Sequence, residues 1–169
     1  MFDRLIKKPD GTIHGGKVAT WLTIATILAA GFEGYAAHPY VDRVGTGHPI
    51  TWCYGETKAD GPVPKMNATF SEAYCKEELA KKLATVYGPA IDRCIHVTMP
   101  PHRKAAIVDL AYNAGPGSVC NGQIARLLNA GDVAGGCRAL LRYVYASGQL
   151  VKGLQRRRQA EYSLCMRND

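Results

Sequence analysis

Residues 32–57 read FEGYAAHPYVDRVGTGHPITWCYGET, and the reading of this stretch decides the fold. Two segments within it, Tyr40-Val41-Asp42-Arg43-Val44 and Ile50-Thr51-Trp52-Cys53-Tyr54, are rich in β-branched and aromatic residues. Between them lies Gly45-Thr46-Gly47-His48-Pro49, which is turn material. The pattern predicts a β-hairpin with a long tip. Just upstream, residues 18–32 carry no charge, and the spacing predicts a helix from about Lys17 to Gly34. Glu33 therefore stands at the end of an apolar helix. Asp42 follows on the first strand and Thr51 on the second, and a turn through Ala37-His38-Pro39 would bring Asp42 back opposite Glu33.

Outward from this stretch the chain becomes helical. Residues 58–70 are polar, contain Gly61, Pro62 and Pro64, and read as a loop. From Ser71 onward Cys75, Leu79, Leu83, Val86 and Tyr87 share one helical face, with Glu77–Lys81 and Glu78–Lys82 as i,i+4 pairs on the other. Gly88-Pro89 is expected to end that helix. Further helices are expected over about 101–113, stopped by Gly115-Pro116-Gly117, and over 123–130, stopped by Gly131. Asp132 suits the N-cap of another that ends near Tyr145. Ser147-Gly148 breaks the chain before a last helix to about Met166. The outline is a mostly helical α+β domain without internal repeats or an interdomain linker.

The bulk numbers agree with one domain. The chain has 169 residues, 47% hydrophobic and 21% charged, enough for a real core. Its formal net charge of +7 attracts polyanions, whether nucleic acid, acidic membrane or acidic polysaccharide, without choosing among them. Six cysteines (Cys53, Cys75, Cys94, Cys120, Cys137 and Cys165) are spread far apart with no C-x-x-C pair. That spacing argues against a metal cluster. It fits three disulfides and an oxidising compartment, although six buried thiols fit too, and the connectivity stays open.

Export needs a signal. Residues 1–17 carry Arg4, Lys7, Lys8 and Lys17, with breakers at Lys8-Pro9-Asp10-Gly11 and Gly15-Gly16, and the uncharged run 18–32 follows. This is the basic-then-apolar order of an export signal. The run is shorter than the roughly 20 residues of a stable membrane span. It is also diluted by Thr20, Thr23 and Thr26, whose spacing of three is expected to gather them on one side. Such a helix is apolar enough to enter a membrane and polar enough to leave it. A first helix buried in a globular core fits the same residues.

Glu33, Asp42 and Thr51 suit glycoside cleavage. That chemistry needs a carboxylic acid to protonate the leaving oxygen and a second polar group to position water or steady the developing positive sugar. Partial desolvation at the helix end would raise the Glu33 pKa and keep its proton available. Each residue also has an ordinary reading: a solvated helix end, a turn aspartate, a strand threonine.

The motifs resemble those of the phage-type lysozymes, family 24 of the glycoside hydrolases. Gly31-Phe32-Glu33-Gly34, Pro39-Tyr40-Val41-Asp42 and Thr51-Trp52-Cys53-Tyr54-Gly55-Glu56-Thr57 resemble the family's Glu…Asp…Thr signature. Ala111-Tyr112-Asn113-Ala114-Gly115-Pro116-Gly117 is similar to its Tyr-Asn-x-Gly-x-Gly segment, and Leu127-Leu128-Asn129-Ala130-Gly131-Asp132 to its Leu-Asn-x-Gly-Asp turn. Gly153-Leu154 with Arg157, Arg158 and Glu161 resembles its C-terminal Gly-Leu-x-x-Arg-Arg-x-x-Glu.

The resemblance implies a two-lobed fold with a small hairpin lobe and a helical lobe. It implies Glu33 as general acid, with Asp42 and Thr51 positioning water and steadying the transition state. The bond cut would be the β-1,4 link from N-acetylmuramic acid to N-acetylglucosamine in peptidoglycan, with Tyr112, Asn113 and Gln123 lining the cleft. No cofactor or metal is implied, and a monomer is expected. Eight residues separate Asp42 from Thr51, more than the family pattern. Strict spacing would land on His48, the Trp-Cys-Tyr-Gly-Glu-Thr context favours Thr51, and Thr46 is a rival.

The resemblance also implies cysteine pairing between sequence neighbours: Cys53–Cys75, Cys94–Cys120 and Cys137–Cys165. Residues 18–32 resemble a signal-arrest-release segment. On that reading residues 1–32 form a basic leader and a helix that tethers the enzyme transiently to the inner membrane, and 33–169 form the catalytic domain, released into the periplasm. A lytic transglycosylase would use one glutamate and not need Asp42 or Thr51. A wall-binding module would need none of the three. Nucleic-acid binding is set aside, since no binding motif accompanies the charge and disulfides would be out of place.

Overall fold

The structure, a computed structural model, describes residues 17–43 and 47–168. The leader's basic residues Arg4, Lys7 and Lys8 and the rival Thr46 lie outside the described residues. Helix α1 (Lys17–Glu33) leads into a hairpin of β1 (Ala36–Val41) and β2 (Ile50–Cys53). Then come α2 (Glu72–Lys82), α3 (Gly88–Asp92), α4 (Pro101–Ala114), α5 (Pro116–Cys120), α6 (Gln123–Asn129) and α7 (Val133–Ala139). A second, two-residue hairpin, β3 (Tyr145–Ala146) and β4 (Gln149–Leu150), precedes α8 (Lys152–Cys165).

Helix α4 is the centre. Ala105, Ala106, Ile107, Val108, Leu110 and Ala111 are all fully buried in it, and α1, α5 and α8 pack around it. Helix α1 buries Trp21, Leu22, Ala25, Thr26 and Ala29. These are the i, i+1, i+4, i+5 and i+8 positions of one helical face. Residues 18–32 thus belong to an element that shares this core. Truncating Leu22 to Ala would cost about 2–5 kcal/mol. Thr23 and Thr26 do not share a side as expected. Thr26 is buried, donating to Leu22 O at 2.8 Å, whereas Thr23 is exposed. A spacing of three falls short of the 3.6-residue turn, so the positions drift around the helix. Among the described residues, no helix is long and apolar enough to cross a membrane.

The hairpin begins earlier than the sequence suggested. Residues 37–39 are not a turn; they lie in β1, whose register slips between Ala36 and Tyr40. Ala36 pairs with Cys53, Tyr40 with Thr51 and Val41 with Ile50. The slip absorbs Pro39, which cannot donate to a ladder and is tolerated at such irregularities. Asp42 lies one residue beyond β1, its N–H donating to Pro49 O at 2.9 Å.

Gly88-Pro89 does not end the second helical region. After α2 the backbone widens into a π-helical turn, Leu83–Tyr87, and α3 continues to Asp92. Pro89 falls in the first turn of α3, where no backbone donor is required. Gly88 is demanded by packing: a Cβ there would lie 2.7 Å from Trp21 Cη2. Pro116 likewise starts the short helix α5 rather than only stopping α4. Asp132 caps α7, accepting from Gly135 N–H at 2.8 Å. That helix ends at Ala139 and passes through a 3-10 turn, Leu140–Arg142, into the second hairpin, well short of the expected Tyr145.

Three disulfides staple the fold: Cys53–Cys75, Cys94–Cys120 and Cys137–Cys165. The first ties β2 to α2, the second the end of α3 to α5, and the third α7 to α8. Cys53 has φ +52°, a left-handed backbone that costs a non-glycine residue about 1–2 kcal/mol, and its disulfide holds it there.

Candidate active site

Glu33 is the last residue of α1, and its side chain is 23% exposed. One carboxylate oxygen, Oε1, accepts from Arg157 Nη1. The other, Oε2, faces Gly55 in the turn after β2, 3.9 Å from where a Cβ would stand. Gly55 has φ +92°, a backbone conformation that favours glycine. The turn is held by Trp52 N–H to Glu56 O at 3.1 Å and by Tyr54 N–H to the Glu56 carboxyl at 2.9 Å. Burial raises the Glu56 pKa, only partly offset by the Tyr54 hydrogen bond.

A cleft of about 290 Å³ opens here, lined among others by Glu33, Gly55, Asp60, Lys82, Tyr112 and Asn113. It sits between the hairpin and the helices. Tyr112, near the end of α4, donates to Tyr54 O at 2.5 Å and so links the two lobes. Its phenol is pushed far up, first by burial and then by the Glu33 charge. Lys82 stands 5.4 Å from the centre of the Tyr112 ring and pairs with Asp60 at 2.6 Å.

Behind Glu33 lies a buried charge cluster. Arg157 donates Nε and Nη2 to the two oxygens of Asp109, both at 2.9 Å, while its Nη1 serves Glu33. Arg158 donates Nη2 to Glu161 at 2.7 Å and to Asn113 at 3.0 Å. Burial pulls the Arg157 pKa down, but the bonds and charges of Asp109 and Glu33 outweigh it and leave it raised. Three carboxyls therefore face two guanidiniums. Burial, reinforced by Asp109, pushes the Glu161 pKa up to about 10, against the pull of Arg158 and Arg157.

The other expected site residues take different places. Tyr112 and Asn113 line the cleft with Glu33. Gln123 does not; it begins α6 and lines a separate depression. Thr51 is 5% exposed, with its hydroxyl 3.5 Å from Pro49 O. It stands directly across from Tyr40, on the same hairpin face. The Tyr40 phenol is raised by partial burial, then by the charge of Asp42 and that of Glu33, so both carboxylates act on one side chain. Asp109 was missed in the sequence, and Arg157, Arg158 and Glu161 were seen only as a motif. The available signal was an acid isolated in the apolar run of α4, which calls for a buried cation.

The phage lysozyme family matches residues 30–161. The chain belongs to that family. It is 37% identical to the SAR-endolysin of Bacteriophage PS119 over 160 residues, covering 91% of this chain and 89% of that one. It is 36% identical to the SAR-endolysin of Enterobacteria phage P21 over 168 residues, covering 96% and 95%. The structure of P22 lysozyme superposes with a TM-score of 0.74 at 23% identity, covering 85% of this chain and 95% of that one, which establishes a common fold. This phage lysozyme is a glycoside hydrolase of the endolysin kind, and its mostly helical lysozyme-like fold is the one expected.

Proposed function

We propose that the chain hydrolyses the β-1,4 bond between N-acetylmuramic acid and N-acetylglucosamine, with Glu33 as general acid. One observation carries this reading: Arg157 anchors one oxygen of Glu33 and leaves the other facing the cleft. A fixed carboxyl at a cleft wall can deliver a proton to a leaving oxygen. Asp42 and Thr51 position the attacking water and steady the positive sugar. The shared influence of Asp42 and Glu33 on Tyr40, and the register of Tyr40 with Thr51, support that assignment. Tyr112 and Asn113 bind the glycan strand from the helical side.

Residues 1–32 act as leader and transient tether. As a helix, residues 18–32 span about 22 Å, short of the roughly 30 Å hydrocarbon core, so the hold on a bilayer is weak. In the folded enzyme the same residues make up most of α1, whose buried face packs on α4, and that docking sets Glu33 beside Arg157. Tethering keeps that meeting from happening, and release into the periplasm completes the site. Acting as a monomer and without a cofactor, the enzyme then cuts the wall.

Mass spectrometry of peptidoglycan digested by the purified protein is the test, with Glu33→Gln alongside. Hydrolysis adds water to each product and should disappear in the variant. Anhydro products would transfer the reading to a lytic transglycosylase, and equal lysis by Glu33→Gln would remove Glu33 from the chemistry.

A further inference from the structure

The turn that follows β2 stands between two hollows. Gly55 and Thr57 line the cleft, while Trp52 and Glu56 line a second depression of about 450 Å³ together with Phe70 and Tyr74. The two hollows share Ala59, Asp60 and Lys82. The upstream end of the turn is fastened to α2 by the Cys53–Cys75 disulfide. Its downstream end, Gly55-Glu56, has open space on either side, so hydrogen bonds carry more of its placement than packing does.

Glu56 supplies those bonds from both main chain and side chain. Its main chain pairs with Trp52, accepting from Trp52 N–H at 3.1 Å and donating to Trp52 O at 3.0 Å. Its side chain folds back on the turn, where Oε2 accepts from Tyr54 N–H at 2.9 Å. The following carbonyl, Tyr54 O, accepts from the Tyr112 hydroxyl at 2.5 Å. The peptides on both sides of Tyr54 are thus clasped, one by Glu56 and one by Tyr112, and the second leads directly to Gly55. A Cβ on Gly55 would lie 3.7 Å from the Tyr112 hydroxyl and 3.9 Å from Glu33 Oε2.

As scaffolding alone this arrangement is costly. Glu56 is 5% exposed, and its other oxygen, Oε1, is buried with no hydrogen-bond partner among the described residues. An apolar side chain would fill the same space without desolvating a carboxyl. We infer that Glu56 is a positioning residue for the reaction: through the Tyr54 peptide it holds Gly55 as the wall that faces Oε2 of Glu33. The inference rests on Glu33 as general acid. Arg157 fixes one Glu33 oxygen and Gly55 bounds the space beside the other, so a shift of the turn changes the distance over which the proton passes. Glu56 acts at one remove, with its own carboxyl turned to Tyr54.

The experiment compares Glu56→Gln with Glu56→Met on peptidoglycan strands, each assayed well below its melting temperature. Glutamine keeps an oxygen for the Tyr54 N–H and should hold kcat and KM close to those of the unmutated enzyme. Methionine has nearly the same length and no comparable acceptor. It should leave KM unchanged and lose on the order of 10- to 100-fold in kcat, because a displaced wall alters the chemistry more than the binding. Amide hydrogen exchange reads the clasp directly. The Tyr54 N–H should be protected in the unmutated enzyme and in Glu56→Gln, and should exchange about tenfold faster or more in Glu56→Met. Equal kcat in a folded Glu56→Met, a loss confined to KM, or a Glu56→Gln as slow as Glu56→Met would overturn the inference. Rapid exchange of the Tyr54 amide in the unmutated enzyme would overturn it even if Glu56→Met does not fold. Full cutting of strands by Glu33→Gln would instead reject the general-acid reading on which it rests.

Discussion

Arg157, in the last helix, ties Glu33, at the end of the first, to the buried Asp109 of α4: Nη1 donates to the Glu33 carboxylate while Nε and Nη2 grip Asp109. The residue with the reacting proton is thus positioned by a side chain more than a hundred residues away. Arg157→Met would leave Asp109 buried without its hydrogen-bonded cation, and should cost about 3–5 kcal/mol in urea unfolding at pH 7. Arg157→Lys keeps the charge but cannot serve both acids. It should fold, hold KM, and lose on the order of 10²-fold in kcat, because Glu33 is no longer fixed. An unchanged kcat in Arg157→Lys would show that Glu33 does not need this anchor.

Glu161 predicts a pH dependence. Its pKa is raised from 4.5 to about 10 in the folded protein, first by burial and then by Asp109. Below about 4.5 both folded and unfolded chains hold the proton, and the stabilisation is complete. Between the two values only the folded chain holds it, so each rise in pH favours unfolding, and the contribution is gone above about 10. Glu161→Gln mimics the neutral acid. It should flatten the fall of stability with pH and raise Tm at pH 9 by about 3 °C or more. A Tm lowered equally at pH 5 and pH 9 would mean that Glu161 is charged in the fold.

The helix end at Glu33 and the strand residues of the hairpin were legible because period and composition changed sharply there. Local reading failed where tertiary packing decided the outcome. Gly88-Pro89 carries the chemistry of a helix stop. Yet the π turn and the Trp21 ring make Gly88 a contact residue and let Pro89 open another helix. The second hairpin has two residues per strand, too few for any alternation to show. The charge cluster spans α1, α4 and α8, so no window of sequence contains it. Asp109 stood out only as one acid among alanines and aliphatics.

Gly88 therefore supports a prediction of coupling. Gly88→Ala places a methyl 2.7 Å from a rigid indole and should destabilise by about 1–3 kcal/mol. In a Trp21→Phe background the second ring is absent. There the same substitution should cost clearly less, since alanine is the better helix former and only the Leu83 carbonyl, 3.1 Å away, still crowds the methyl. Thermal unfolding of the four proteins gives the coupling, and additive effects would show that Trp21 does not press on Gly88.

The Cys53–Cys75 disulfide closes a loop between residues 22 apart and joins the cleft turn to α2. Cys53→Ala/Cys75→Ala should lose about 3 kcal/mol, seen in urea unfolding. Because Cys53 also holds its left-handed backbone next to Tyr54 and Gly55, the cut in activity should exceed that caused by Cys94→Ala/Cys120→Ala when both variants are assayed fully folded. Equal activity in the two would separate the disulfide from the cleft.

Thr51 is the buried member of the proposed trio that lies within a paired strand, and its surroundings bear on what its hydroxyl is for. The side chain is 5% exposed, yet its hydroxyl makes a long 3.5 Å approach to Pro49 O. A buried hydroxyl placed for structure alone would be expected to make a short, well-directed bond. One poised to hold a water against the sugar would keep its hydrogen-bonding capacity for that water. Thr51→Ala should then fold with nearly unchanged Tm and lose roughly 10²–10³-fold in kcat, whereas Thr51→Ser should keep most activity. Thr46→Ala should be close to the unmutated enzyme in both respects. Full lysis by a folded Thr51→Ala protein, with loss in Thr46→Ala, would move the water-positioning role to the hairpin tip and shift the register of the whole Glu33, Asp42 and threonine set.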